Sequence, residues 1–131
     1  MNNQSQEHWK WRFDMVQAMV LTLDMDRFGV KALYLIGSVK TGNPGPCSDI
    51  DLLAHCENDP GKQALLKTWF EGWGLCLTEI NNKNTCFETK GSMVDLHIIT
   101  DHDIKNKTSF ATMLDSVSNS AKLLKKASAH E

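Results

Sequence analysis

Two aspartates stand one residue apart in an apolar stretch of this chain. Asp49 and Asp51 alternate there with Ile50 and Leu52. Because alternate residues of a strand point to the same face, the two carboxylates would project side by side, with the apolar residues packed behind them. Carboxylates so close repel each other unless a cation lies between them. Mg²⁺ is usually held by one or two carboxylates together with substrate phosphates, so the pattern predicts a site for Mg²⁺, with Mn²⁺ as the alternative.

A glycine and a serine lie upstream of the two aspartates, at the end of another apolar stretch. Gly37 and Ser38 directly follow the segment 33–36. Glycine lets a phosphate approach the backbone closely, and free N–H groups together with a serine hydroxyl can bind it. Ser38 is equally able to cap a short helical turn. Lys40 and Lys90 are candidates for contacts with a triphosphate. Together with the aspartates, these residues predict a metal–nucleotide site.

This combination resembles the nucleotidyltransferase superfamily that includes DNA polymerase β, and within it the minimal nucleotidyltransferase domains. The family pattern is a hydrophobic strand, Gly-Ser, a loop of about ten residues and then Asp-hydrophobic-Asp-hydrophobic, completed by a third acidic residue on a later strand. Asp95, within Val94-Asp95-Leu96, matches that third acid. The resemblance covers about residues 30–100.

The resemblance implies an activity: transfer of a nucleoside monophosphate from a nucleoside triphosphate to a hydroxyl of a small molecule or a protein, by two-metal-ion catalysis. It implies that three aspartates are both metal ligands and catalytic residues, and that three further residues bind the nucleotide. The aspartates are Asp49, Asp51 and Asp95, and the nucleotide-binding residues are Gly37, Ser38 and Lys40. We expect the three carboxylates to converge on one cleft. The base of the nucleotide and the acceptor are left open.

The third acid has two rivals, Glu79 and Glu88, on neighbouring predicted strands. Asp95 is favoured because its context matches the third strand of the family. Alternation along that strand places Asp95, His97 and Ile99 on one face. A lone histidine on a strand is usually structural, so no role is assigned to His97.

Periodicity and capping residues predict the elements that must position the site. An amphipathic helix is predicted over 6–28, with Gly29 as its C-terminal cap. A second helix begins after Asp59, with Pro60 at its first position, and Gly72 and Gly74 end it. Strands are predicted over 32–36, 50–55, 75–80, 85–89 and 93–99. Asp101 or Asp103 caps a short helix, and a terminal helix spans 108–124.

The fold class that follows is α/β: a mixed sheet of four to five strands with helices packed against it, the nucleotidyltransferase fold. A chain of 131 residues with 23% charged residues is expected to form a single globular domain, with the motif core flanked by N-terminal and C-terminal helices. A net charge of −2 argues against a protein that coats nucleic acid. No apolar run is long enough to span a bilayer and no signal peptide is visible, so the expected location is the cytoplasm.

Two other function classes compete with an active enzyme. The first is a catalytically weak or inactive module that keeps the fold and works as a regulatory or binding partner of another protein, antitoxin-like or kinase-associated, or as a homodimer. The second is a glycosyltransferase that uses Asp-x-Asp for a nucleotide sugar. It is disfavoured because such catalytic domains are usually about twice this size. The presence of all three acidic residues of the family pattern favours an active enzyme over the inactive module.

Overall fold

The computed structural model describes residues 3–42, 44–85, 88–114 and 121–127. Its strands are separated from one another by helices along the chain. In order they are α1 (Asn3–Thr22), α2 (Met25–Phe28), β1 (Val30–Ile36), α3 (Gly37–Thr41), β2 (Ile50–Cys56), α4 (Pro60–Thr85), β3 (Val94–Ile99), α5 (Asp101–Asn106), a 3₁₀ helix (Ser109–Leu114) and β4 (Lys122–Lys126). None of the helices in these ranges is long and apolar enough to cross a membrane.

The four strands form one mixed sheet in the order β3-β2-β1-β4. Strand β1 is antiparallel to both β2 and β4, and β2 is parallel to β3. Parallel neighbours need a long crossover, and the 26-residue helix α4 supplies it. The predicted fold class, a mixed sheet with helices packed against it, is therefore confirmed.

The sheet packs a larger and a smaller apolar cluster on its two faces. The larger cluster joins buried residues of α1 and α4, such as Met19 and Phe70, to strand residues that include Ile50 and Leu52. The smaller cluster consists of Ile36, Leu53, Ile99 and Ala111, the last from the 3₁₀ helix. Because side chains alternate along β2, Asp51 points to the face of the smaller cluster.

Several predicted boundaries are confirmed by cap geometry. Gly29 has the left-handed conformation of a C-terminal cap (φ 65°), as predicted. The single helix predicted over 6–28 is wrong, because Asp24 is extended and caps a separate short helix α2, which Gly29 closes. Asp59 accepts a hydrogen bond from the backbone N–H of Lys62 at 3.1 Å, at the start of α4. The prediction of Asp101 or Asp103 as the cap of the short helix is wrong, because Thr100 is the N-cap residue of α5. Asp103 completes a capping box from the third helical position, and Asp101 pairs with Lys31.

The predicted end of the second helix at Gly72 and Gly74 is wrong, as is the strand over 75–80. Helix α4 continues through both glycines to Thr85. A Cβ on Gly74 would lie 2.8 Å from the Cβ of Ser92 and 2.9 Å from the backbone nitrogen of Val94. Gly74 is therefore the point at which α4 and the entry to β3 touch, and not a helix terminator.

The predicted terminal helix over 108–124 is also wrong. The described part of that range holds the 3₁₀ helix and the start of β4. Pairing of β4 with β1 overrides the helical spacing of its apolar residues. Lys125 holds β4 against the end of α1, because its ammonium donates to the carbonyls of Val20 and Leu23. Within the predicted strand over 85–89, residues 86 and 87 lie outside the described residues, Thr85 is helical, and Glu88 and Thr89 are not in a strand.

Candidate functional site

Gly37 joins β1 to the short helix α3 and lies against an acid of the next strand. Its φ is +76°, a conformation that side chains with a Cβ rarely adopt. A Cβ at this position would collide with the carboxylate oxygen Oδ2 of Asp51, and would lie 3.1 Å from its Cγ. Glycine is thus required both by the backbone turn and by the acid beside it.

Ser38 and Lys40 lie on α3, immediately after this turn. Ser38 does not cap the helix, because Ile36 is its N-cap residue and no side chain bonds there. Ser38 is half-buried, and Lys40 lies in the last turn of α3. Helix α3 is held in place by α1, since the indole Nε1 of Trp9 donates to the carbonyl of Val39 at 3.0 Å.

Asp51 and Asp95 lie opposite each other in the parallel β2–β3 pair. One carboxylate oxygen of each, together with one ring nitrogen of His97, lie within 4.8 Å of one another. The Nε2 atom of His97 is 3.3 Å from Oδ2 of Asp95, and its ring stacks on Phe110 with 3.9 Å between centroids. Sequence reasoning placed His97 on the correct face of the strand but assigned it no role.

Asp49 lies one residue before β2 and is exposed. Partial burial raises the pKa of Asp49, as does the negative charge of Asp95, while the charge of Arg12 opposes the increase. Burial likewise raises the pKa of Asp51, with further increases from Asp95 and Asp49 and an opposing effect of His97. The negative charge of neighbouring carboxylates thus raises the pKa of both Asp49 and Asp51, and a bound cation would relieve this repulsion.

The two rival acids lie elsewhere. Glu79 is an exposed residue of α4 and not of a strand, and Glu88 is exposed in the segment that follows α4. Within the described ranges, the group of closely spaced candidate ligands contains neither of them. Lys90 lines a cavity beside Asp49.

That cavity has a volume of about 230 Å³ and opens between the 47–49 segment, α4 and the entry to β3. Its walls are mainly polar, with hydroxyl and amide groups and one cation. The lining residues are Cys47, Ser48, Asp49, Thr78, Asn81, Thr89, Lys90, Ser92 and Met93.

Sequence reasoning missed Arg12, which is fully buried and contacts the loop that leads to Asp49. A signal was present in the sequence. Arg12 stands among Trp9, Phe13 and Val16, at the three- and four-residue spacing of the apolar stripe of α1. A charged residue at such a position requires buried hydrogen-bond partners.

Comparison with known proteins gives two matches. Residues 23–126 match the family model described as a nucleotidyltransferase domain. No curated protein matches the chain significantly. Among solved structures, the chain resembles a protein from Sulfolobus solfataricus that has been proposed to be a nucleotidyltransferase, with a TM-score of 0.50 and 14% identity over 96% of this chain and 90% of that one. At this identity, the second match shows a shared fold.

Proposed function

Because this chain belongs to the nucleotidyltransferase domain family, we propose that it transfers a nucleoside monophosphate from a nucleoside triphosphate to a hydroxyl group of a small molecule or a protein. The observation that carries the proposal is the closeness of Asp51, Asp95 and His97, whose ligand atoms lie within 4.8 Å of one another. Asp49 is coupled electrostatically to the same group.

The donor set fits a divalent cation. Two ligands of one Mg²⁺ ion lie about 3–4 Å apart, given metal–oxygen distances near 2.0–2.1 Å. Small side-chain rotations would bring the oxygens of Asp51 and Asp95 from within 4.8 Å to that spacing. Asp49, Asp51 and Asp95 would hold Mg²⁺, or Mn²⁺ as the alternative, because carboxylates suit both ions. When bound, two such ions would stabilise the attacking and leaving oxygens of the phosphoryl group.

The side chains of the chain itself have three tasks in this mechanism. Gly37 makes the turn that brings backbone N–H groups of α3 next to the acids, and these groups, the hydroxyl of Ser38 and the ammonium of Lys40 would orient a phosphate. Asp95 accepts the proton of the acceptor hydroxyl, which then attacks the α-phosphorus and expels pyrophosphate. His97 is 3.3 Å from Asp95 and orients its carboxylate. The polar cavity beside Asp49 offers space for a small hydroxyl-bearing acceptor.

The test is incubation of the chain with each nucleoside triphosphate, Mg²⁺ or Mn²⁺ and candidate acceptors, with pyrophosphate release and mass spectrometry as readouts. Asp51→Asn should abolish release, since it keeps the shape of the side chain and removes a metal-binding charge. Asp14→Asn is the matched control, because Asp14 is an exposed acid of α1. Equal activity of the two variants would contradict the assignment of Asp51.

One observation favours the alternative of a module that works with a partner protein. A groove of about 390 Å³ between α1 and β4 is lined mainly by apolar side chains. Leu21 on its rim is 83% exposed and Leu123 is 51% exposed. Exposed apolar patches often mark interaction surfaces. If the wild type binds a partner tightly but releases no pyrophosphate with any base or acceptor, this second function replaces the first.

A further inference from the structure

Arg12 is a buried cation whose donors are directed at the backbone of the 46–48 loop. Its Nε donates to the carbonyl of Ser48 at 3.0 Å, and one terminal nitrogen donates to the carbonyl of Pro46 at 3.3 Å. The side chain has no measurable solvent exposure. Arg12 also precedes residues 23–126, the part of the chain that the family model matches. Its hydrogen bonds therefore connect a helix outside the matched residues to a loop within them.

A second side chain, from a different helix, binds the same loop. Asn81 of α4 donates to the carbonyl of Pro46 at 2.8 Å and accepts from Arg12 at 3.5 Å. Two helices far apart in the sequence thus share one loop carbonyl. Burying a guanidinium costs several kcal/mol unless such bonds offset the loss of water. The hydrogen bonds of Arg12 therefore offset a desolvation penalty that an apolar residue at this position would not carry.

The bond to Ser48 acts directly on Asp49. The carbonyl of Ser48 and the N–H of Asp49 belong to one planar peptide group, so fixing the first fixes the orientation of the second. On the other side of Asp49, the N–H of Ile50 donates to the carbonyl of Met93 at 2.7 Å. Both peptide groups that flank Asp49 are therefore anchored, one to α1 and one to the entry of β3.

We propose that Arg12 is a positioning residue for cation binding, which together with Asn81 fixes the backbone of Asp49 relative to Asp51 and Asp95. This inference rests on the proposed function. Asp49 precedes the strand and is exposed, so the sheet alone does not immobilise it. The Arg12–Asn81 pair supplies the missing constraint, and it links the N-terminal helix to the metal-binding acids.

The experiment compares Arg12→Met with Val16→Ala in the full chain. Arg12→Met keeps most of the side-chain length and removes every donor. Val16 is fully buried one turn further along α1 and packs in the main core cluster, so its truncation lowers stability without touching the loop. For each variant, the apparent Mg²⁺ affinity is measured from the dependence of Tm on Mg²⁺ concentration, and kcat is measured from pyrophosphate release.

We expect Arg12→Met to weaken the apparent Mg²⁺ affinity at least tenfold and to lower kcat, while Val16→Ala lowers Tm and leaves the Mg²⁺ affinity unchanged. Arg12→Lys should recover part of the affinity, because an ammonium can still donate to one of the carbonyls. Asn81→Ala removes one donor to the loop and should act in the same direction with a smaller effect, which provides a test if Arg12→Met does not fold.

An unchanged Mg²⁺ affinity in Asn81→Ala, or in a folded Arg12→Met, would overturn the positioning role of Arg12. If the wild type itself shows neither a Mg²⁺-dependent Tm nor pyrophosphate release, the proposed function fails and the inference fails with it. That result is distinct from a loss confined to the Arg12 and Asn81 variants.

Discussion

Gly37 and Gly42 are matched positions for testing whether the backbone turn at Gly37 is needed to position the carboxylate of Asp51. Both have φ +76°, so an alanine at either position carries the same backbone penalty, about 1–2 kcal/mol. Their surroundings differ. A Cβ on Gly42 would meet only Trp9, at 3.8 Å, an ordinary contact, whereas a Cβ on Gly37 would collide with the carboxylate of Asp51.

The collision adds a second effect at Gly37. Rotating the Asp51 side chain away from a favoured rotamer costs about 0.5–1.5 kcal/mol, so Gly37→Ala should destabilise the fold by about 1.5–3.5 kcal/mol in total. Gly42→Ala should cost about 1–2 kcal/mol. More importantly, Gly37→Ala should lose stabilisation by Mg²⁺ and pyrophosphate release, because the Asp51 carboxylate is displaced.

Denaturant unfolding with and without Mg²⁺, followed by the pyrophosphate assay, measures both effects. Both variants carry the penalty for an alanine at positive φ, but only Gly37→Ala displaces the Asp51 carboxylate. The difference between them therefore measures the effect of that displacement alone. If Gly37→Ala and Gly42→Ala retained the same Mg²⁺ response and the same turnover, the contact between Gly37 and Asp51 would have no functional meaning, and our reasoning would be refuted.

Three further predictions follow from the same geometry. Mg²⁺ at ten times its dissociation constant should stabilise the wild type by about 1.4 kcal/mol, and a Tm that does not respond to Mg²⁺ would count against the site. Without a cation, Asp51→Asn should raise Tm at pH 7. The fold raises the pKa of Asp51 above its ordinary value of 3.8, so the wild type loses stability as the pH rises from the unfolded-state pKa through the folded-state pKa. The higher Tm of the variant should therefore disappear below about pH 4, which thermal melts across a pH series would show. Gly74→Ala should destabilise the fold by about 1–3 kcal/mol, because its Cβ would meet Ser92 and Val94. Gly72→Ala, with nothing within 4 Å, should be neutral or stabilising by up to about 1 kcal/mol, and equal denaturant midpoints of the two variants would disprove the contact at Gly74.

Local signals in the sequence were sufficient for much of the fold. The cap at Gly29 and the helix start at Asp59 depend on backbone bonds within a few residues, and both are confirmed. The strand that carries Asp51 was predicted to within one residue of its end, because alternation of apolar and acidic residues is itself a local pattern. The order of Gly-Ser, paired aspartates and a third acid identified the family, which the family match confirms.

The wrong predictions concern residues whose structure depends on contacts between distant parts of the sequence. Gly74 looks like a helix terminator until the entry to β3 lies against it, and nothing within α4 reveals that contact. The segment 122–126 has helical spacing, yet its pairing with β1 makes it a strand. Arg12 was overlooked for the same reason, because its partners at Pro46, Ser48 and Asn81 lie in remote parts of the sequence.

Strand β3 is an edge strand, held on one side by its parallel pairing with β2. Edge strands open at lower free energy than the centre of a sheet, and Asp95 leaves the site whenever β3 opens. We also expect the β2–β3 pair to form late in folding, since a parallel pair joined by a long crossover must close a large loop before its contacts are gained. If the proposed cation binds, its binding and the closure of β3 are therefore coupled, because Asp95 is available as a ligand only when β3 is closed. A bound cation would keep the edge strand paired with β2 and so slow the exchange of its backbone amide hydrogens with solvent.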